Sequence, residues 1–326
     1  MSVALNSGAD HYSRPRWRAV DGVLLLDKPH GLSSNQALQR VRRCLAAARG
    51  GHAGSLDPLA TGMLPVCLGE ATKFSSYLLD APKVYRTRLV LGQATASGDA
   101  EGPVTRTGPS LLLAGALEAA LVGFRGTIDQ VPPMYSALKR NGQPLYKLAR
   151  QGLVVERAPR KVHISRLDLL AEGNGEALLE VACSKGTYIR TLVEDIAGAA
   201  GTVAHVGDLR RLAVSPYRED QMVSLDVLEA AARSDDAEAL ALLLPVDSGL
   251  AALPAQSLTA SQAGQLCRGQ VVHDGAGHPE GLIRLYGPAG GFIGLGEYGP
   301  DQLLRARRLL ATGSGQPHQK TLNGGG

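Results

Sequence analysis

The uneven spacing of its extended segments limits this chain's fold more than any other feature. Runs rich in apolar and β-branched residues occur at 23–26, 84–91, 161–170 and 177–183. The first is stopped by Asp27-Lys28-Pro29-His30-Gly31, a turn built from proline and glycine. Ser33, Ser34 and Asn35 then offer N-caps for a helix through Leu38, Val41 and Leu45, with Arg40, Arg42 and Arg43 on its other face. The 177–183 run leads through Ser184-Lys185-Gly186 into a helix starting near Thr187. Strands and helices mix without a βαβ rhythm, which predicts an α+β architecture around a mixed sheet. An acidic helical region ends near Leu244-Pro245-Val246-Asp247. The stretch from there to about 310 is Gly-rich and strand-like, at 281–286 and 291–296, and reads as a small, mostly β second domain. Residues 1–18 and 311–326 read as tails, the latter polar, Gly-rich and without periodicity, hence disordered.

Several function classes lose their anchors. The four cysteines, Cys44, Cys67, Cys183 and Cys267, are scattered and read as small reduced hydrophobes. No His/Cys cluster has zinc spacing, so no metal is expected. Gly294-x-Gly296-x-x-Gly299 matches a dinucleotide fingerprint, but Pro300 follows directly and no βαβ unit surrounds it. There is no Gly-x-Ser-x-Gly elbow and no Walker loop. The first residues lack the apolar run of a signal peptide, and no stretch reaches the roughly 18 apolar residues of a membrane span. A soluble, cytoplasmic protein is the expectation.

Charge is informative in its distribution. The formal net charge is only +4, yet from Lys139 to Arg166 there are eight Lys or Arg and one acid, Glu156. From Glu219 to Asp247 eight acids face one base, Arg233. A basic block in a near-neutral chain suits a polyanionic partner, and a solvated face paired with nearby acids is the alternative.

The loop 51–62 is where chemistry is most legible. Its glycines permit tight turns and close approach by a large ligand. Pro58 disfavours α geometry at Asp57 and so holds that acid on a stiff turn. By residue type alone, Asp57 is either a turn or cap residue or a nucleophile. The second role needs a cation beside it, since a close arginine lowers an aspartate pKa by about 1–3 units. Periodicity does not say which arginine that is.

GHAGSLDPLATGMLPVCLGEATKF at 51–74 resembles the catalytic motif of the TruB-type tRNA pseudouridine-55 synthase family. LLLDKPHGLSS at 24–34, KVYRTRLVLGQATASGDAEG at 83–102 and VPPMYSALKRNGQPLYKLARQG at 131–152 match further family blocks. CSKGTYIRTLVEDIA at 183–197 and HVGDLRRLAVSPY at 205–217 complete the series in the family's order. The resemblance covers about 20–247, with a weaker echo after 250. It implies a pseudouridine-synthase-like catalytic domain at 19–247 and a small PUA-like RNA-binding domain at 250–310.

Residue by residue, the resemblance implies that Asp57 attacks the nucleoside and that Arg190 pairs with it. Tyr85 would lie over the target ring and move the C5 proton. Tyr188 and Leu209 would line the pocket for an extruded uridine, and His52 would stack inside the RNA loop. Lys28, Lys73 and the 139–166 block would meet phosphates. The implied reaction converts a T-loop uridine of tRNA, position 55, to pseudouridine. It needs no cofactor, because no atoms are gained or lost, and the implied partner is the tRNA T arm, met by a monomer without an obligate protein partner. Attack at ribose C1′, attack at uracil C6 and removal of a ribose proton all stay open for Asp57. Two rivals remain: a non-catalytic tRNA-binding or folding protein on the same scaffold, and a glycosidase-like hydrolase. Hydrolysis of that kind wants two facing carboxylates, and the loop supplies one.

Overall fold

The computed structural model describes residues 17–140, 142–273 and 277–311. A nine-stranded mixed sheet forms the body. Its strands in chain order are β1 (Gly22–Lys28), β2 (Gly50–His52), β3 (Thr61–Leu68), β4 (Lys83–Leu91), β5 (Gly126–Gln130), β6 (Arg160–Gly173), β7 (Glu176–Cys183), β8 (Ala204–Val214) and β9 (Val223–Ser224). In space they run β9-β1-β3-β8-β4-β7-β6-β5, with β2 paired to β3. The pairs β1/β9 and β3/β8 are parallel and the others antiparallel. An irregular strand spacing produces such a mixed sheet, because short connections give antiparallel neighbours and long ones allow parallel returns.

β1 is a continuous apolar run because both its faces are covered. Leu24 and Leu26 enter one core with Val41, Leu64 and Ile196, whereas Val23 and Leu25 enter another with Met63, Cys67 and Val214. β7 instead alternates half-buried and buried positions, with period 2. Helix α1 (Ser34–Cys44) begins at Ser33 in a capping box: the Ser33 hydroxyl accepts from Gln36 N–H, and the Gln36 amide oxygen accepts from Ser33 N–H. Helix α2 (Ile189–Ala199) starts two residues after Thr187, with Tyr188 as its N-cap, and packs Leu192, Val193 and Ile196 into the core.

The second domain is a four-stranded sheet, β10 (Ala255–Ser257), β11 (Gly281–Tyr286), β12 (Phe292–Tyr298) and β13 (Leu304–Leu309), with one helix, Ala260–Cys267. Gly294 of the apparent dinucleotide fingerprint lies on β12, where a Cβ would come within 2.3 Å of the Arg308 carbonyl oxygen. Close packing of two strands therefore explains that glycine. The domain is fastened to the body by polar and aromatic contacts. Phe74 meets Phe292 edge-on at 5.5 Å, the Tyr286 hydroxyl donates to Asp247, and Lys73 donates to the Leu309 carbonyl at 3.0 Å.

Most of the two expected tails lies outside the described residues. At their inner edges the expectation needs correction. Arg18 donates its backbone N–H to Ala46 and pairs with Asp236, Trp17 lies against the Arg42 guanidinium, and Ala311 N–H donates to Glu70. Cys67 and Cys183 are buried as expected, but Cys44 is only half-buried and Cys267 is exposed. No described helix is long and apolar enough to cross a membrane.

Candidate active site

Asp57 sits on the turn between β2 and β3, and that turn is tied down on both sides. The Ser34 hydroxyl, at the start of α1, accepts from Leu56 N–H at 2.7 Å and lies 3.0 Å from the Leu56 carbonyl. Gly31 N–H donates to the Pro58 carbonyl at 2.8 Å. Lys28 lies beneath, its ammonium donating to the carbonyls of Leu32 at 2.6 Å, Pro29 at 2.9 Å and Pro58 at 3.4 Å. The turn ends at Gly62, where φ is +94° and a Cβ would fall 2.2 Å from the Arg211 carbonyl oxygen, so β3 and β8 can approach only because this residue is glycine.

Arg190, in the first turn of α2, reaches the Asp57 carboxylate at 3.0 Å. Its remaining donors go to the Tyr135 and Ser97 carbonyls, each at 2.7 Å, and Asp99 lies 3.6 Å away. Five-donor guanidinium geometry suits this: one rigid fork holds a carboxylate and two carbonyls at once. The start of α2 is positioned by buried Gln130 on β5, whose amide accepts from Tyr188 N–H at 2.8 Å and donates to the Tyr188 carbonyl at 3.0 Å. The Tyr188 ring lies 4.7 Å from the Arg160 guanidinium.

Asp57, Tyr85, Tyr188, Arg190 and Leu209 line one cavity of about 340 Å³, so the structure brings together five of the residues singled out from sequence. Burial raises the Asp57 pKa above the usual carboxylate value, Arg190 pulls it down, and the Asp99 charge adds to the rise. Nearly half of the Asp57 side-chain surface still opens to the cavity. Burial likewise raises the Tyr85 phenol, which stays protonated at neutral pH.

Three expected residues lie elsewhere. Lys28 is fully buried with its donors committed to carbonyls, so it braces the aspartate turn and offers no surface to a phosphate. Its ammonium is lowered to about 8, chiefly by burial. Lys73 pairs with Glu70 at 2.7 Å and bridges to the second domain, away from the cavity. His52 is half-buried on β2, and the described residues offer its Nδ1 no hydrogen-bond partner. Burial and then Arg211 lower its pKa, favouring a neutral ring, but it does not line the cavity.

Three residues carried no mark in the sequence. Asp99 and Gln130 are buried partners of Arg190 and Tyr188. Arg211 is 1% exposed and lines the cavity. Leu209 and Arg211 share one face of β8 by the two-residue period, and that signal could have found the arginine. The segment that follows β5 contributes Tyr135, Ser136 and Ala137 to the cavity wall. It carries Lys139, Lys147 and Arg150 on exposed surface, and none of these has a carboxylate partner among the described residues. No group of His, Cys, Asp or Glu among the described residues could hold a metal ion.

A mixed sheet whose cavity is lined by one carboxylate, the buried arginine paired with it and two tyrosines fits the pseudouridine synthase class. The comparisons agree. Residues 42–189 match the TruB family pseudouridylate synthase N-terminal domain, 190–251 the tRNA pseudouridylate synthase B C-terminal domain, and 254–310 the pseudouridine synthase II TruB C-terminal domain. A tRNA pseudouridine synthase B of Stutzerimonas stutzeri (strain A1501) is 54% identical over 294 residues, 90% of this chain and 96% of the relative. One of Coxiella burnetii (strain RSA 493 / Nine Mile phase I) is 52% identical over 297 residues, covering 90% and 96%. Among solved structures, a Cbf5-Nop10-Gar1 complex aligns with TM-score 0.68 at 22% identity, over 91% of this chain and 90% of the other, a likeness of fold. The chain belongs to the TruB family of pseudouridylate synthases.

Proposed function

We propose that the protein isomerises the uridine at position 55 in the tRNA T loop to pseudouridine, with Asp57 as nucleophile. The observation that carries this reading is the 3.0 Å pairing of Asp57 with Arg190 at the wall of a cavity also lined by Tyr85 and Leu209. The names of the relatives supply the substrate class.

A uridine inside a folded loop must leave its stack to reach Asp57. Extrusion costs a few kcal/mol, and less from a loop than from a duplex. A stacking side chain recovers part of that, since stacking is worth about 1–3 kcal/mol per base. His52, neutral and two residues before Gly54 of the cavity wall, suits that role. In the reaction the N1–C1′ bond breaks, the uracil turns, and a C5–C1′ bond forms; one proton leaves C5 and one arrives at N1. A carboxylate kept ionised by Arg190 divides this into two easier stages, whether it adds to the sugar or the base or removes a ribose proton. Leu209 and Tyr85 hold the free ring flat while it turns, and Tyr85 moves the C5 proton. All atoms come from the substrate, so the chemistry requires no cofactor.

Of the 139–166 block, Lys139, Lys147 and Arg150 meet the RNA backbone, whereas Lys161 and Arg166 are paired with acids of the protein. The unit from about 250 to 310 extends the RNA-binding surface of the catalytic unit at 19–247. The protein works in the cytoplasm as a monomer, without an obligate protein partner. The test is carbodiimide mapping of pseudouridine on an unmodified tRNA transcript after incubation with wild type or Asp57→Ala. A single primer-extension stop in the T loop, absent with the variant, is expected. Free uracil in place of a stop would identify a hydrolase, and tight binding with no product a folding factor.

A further inference from the structure

Two arginines border the cavity, and their surroundings differ. Arg190 faces two carboxylates, whereas Arg211 has no carboxylate partner among the described residues despite being 1% exposed. Its chain neighbour Arg210 takes Asp27 and Glu219. Arg211 donates Nε–H to the Met63 carbonyl at 2.6 Å and a terminal N–H to the Gly54 carbonyl at 2.9 Å. Removing a cation from water is costly when no anion compensates it, so a position of this kind points to negative charge that is present only at some stage.

The group facing it identifies that charge. In the antiparallel pairing of β4 with β8, Arg211 stands opposite Tyr85, and both side chains line the cavity. We propose that Arg211 is a positioning residue of the reaction: it orients the Tyr85 phenol and stabilises negative charge developing on its oxygen. This rests on the reading of Tyr85 as the group that moves the C5 proton. A phenol that accepts the C5 proton must first give up its own, which the net reaction delivers to N1 of the same base, and its oxygen is most anionic between release and uptake.

The other ionisable groups around Tyr85 do not supply this. Asp57, on the β2–β3 turn, and Cys183, on β7, both push the phenol's pKa up, whereas Arg211 pulls it down. Cys183 is itself pushed up to about 11 by burial and is neutral at pH 7. Lys83, on β4 itself, is lowered to about 8 and donates to the carbonyls of Leu78, Leu79 and Ala81. Arg190 is committed to Asp57 and two carbonyls.

The test places 3,5-difluorotyrosine, whose phenol ionises near neutrality in water, at position 85 of the full chain and titrates it by ¹⁹F NMR. Arg211→Met should raise the midpoint by about 1 unit or more, a tenfold weaker acid, and Arg211→Lys should raise it much less. A folded Arg211→Met protein with an unmoved midpoint overturns the proposal. Arg211→Gln carries the same expectation should the methionine variant not fold. A second measurement uses only the conservative variant: the single-turnover loss caused by Arg211→Lys should disappear in a Tyr85→Phe background. A loss of equal size in both backgrounds means that Arg211 only pins Gly54 and Met63, and overturns the proposal. If the midpoint moves but Tyr85→Phe turns over at the wild-type rate, the contact stands, the reading of Tyr85 fails, and the reaction role of Arg211 falls with it.

Discussion

The cavity and the segment that follows its Tyr135–Ala137 wall both concentrate positive charge, and the fold holds it in opposite ways. Arg190 and Arg211 are nearly inaccessible, and each is held by two carbonyl oxygens in addition to what it faces. Lys139, Lys147 and Arg150 are exposed and lack carboxylate partners among the described residues. A buried cation acts over a few ångströms at low dielectric and fixes geometry. Exposed cations act through a screened field on a polyanion and set affinity. The acidic run 219–247 shows a third outcome. Glu219, Glu229 and Asp236 are paired with Arg210, Arg40 and Arg18, so part of this charge is neutralised within the protein. Similar charge densities in sequence therefore divide into buried clamps, exposed bases without acid partners and internally paired acids.

Asp57→Ala should separate the first two most sharply. Single-turnover pseudouridine formation should fall on the order of 10⁴–10⁶-fold, while the Kd for tRNA in filter binding stays within a few-fold. A wild-type rate would remove Asp57 from the chemistry. Next, Arg190→Met should destabilise the protein by about 3 kcal/mol in urea unfolding, because Asp99 is left buried and uncompensated. An unchanged urea midpoint would mean that the clamp contributes nothing to folding.

On the exposed basic segment, Lys139→Gln, Lys147→Gln and Arg150→Gln together should weaken binding without lowering the rate at saturation. The slope of log K against log salt should flatten by about 0.7–0.9 for each phosphate that is no longer neutralised. An unchanged slope would make the block a solvated face. A smaller effect concerns pH. The proposed role of Asp57 needs its ionised form and its pKa is raised above 3.8, so the rate should fall on the acid side through a midpoint above that value. Asp99→Asn removes a like charge and should move this limb to lower pH; movement upward would contradict the balance of burial and charge around Asp57. Glu229→Gln should be the mildest change, about 1 kcal/mol or less in stability with no effect on the salt slope, as for partly exposed pairs generally.

Much of the fold was legible because its signals are local. The apolar run of β1, the Ser33 cap and the alternation of β7 each involve residues a few positions apart. The Asp57-Pro58 turn was equally plain. Lys28 and Lys73 misled because a lysine reads as solvent-exposed by type. The carbonyls that accept from Lys28 come from two separate turns, and those turns meet only after β1 and β3 pair. Arg211 was hidden in an Arg-Arg doublet whose members point oppositely, one to Asp27 and the other into the cavity.

Motif order and local pattern were enough to indicate the family, the mixed architecture and the acid at the centre of the site. The resemblance also supplied Arg190 as the cation that meets Asp57, which local pattern alone left open. Neither said which lysines are buried, or that a second arginine faces Tyr85. Those depend on strand pairing and burial, which are set by contacts among residues far apart in the chain. The pairing of β8 with both β3 and β4 brings Arg211 between the aspartate turn and the Tyr85 ring.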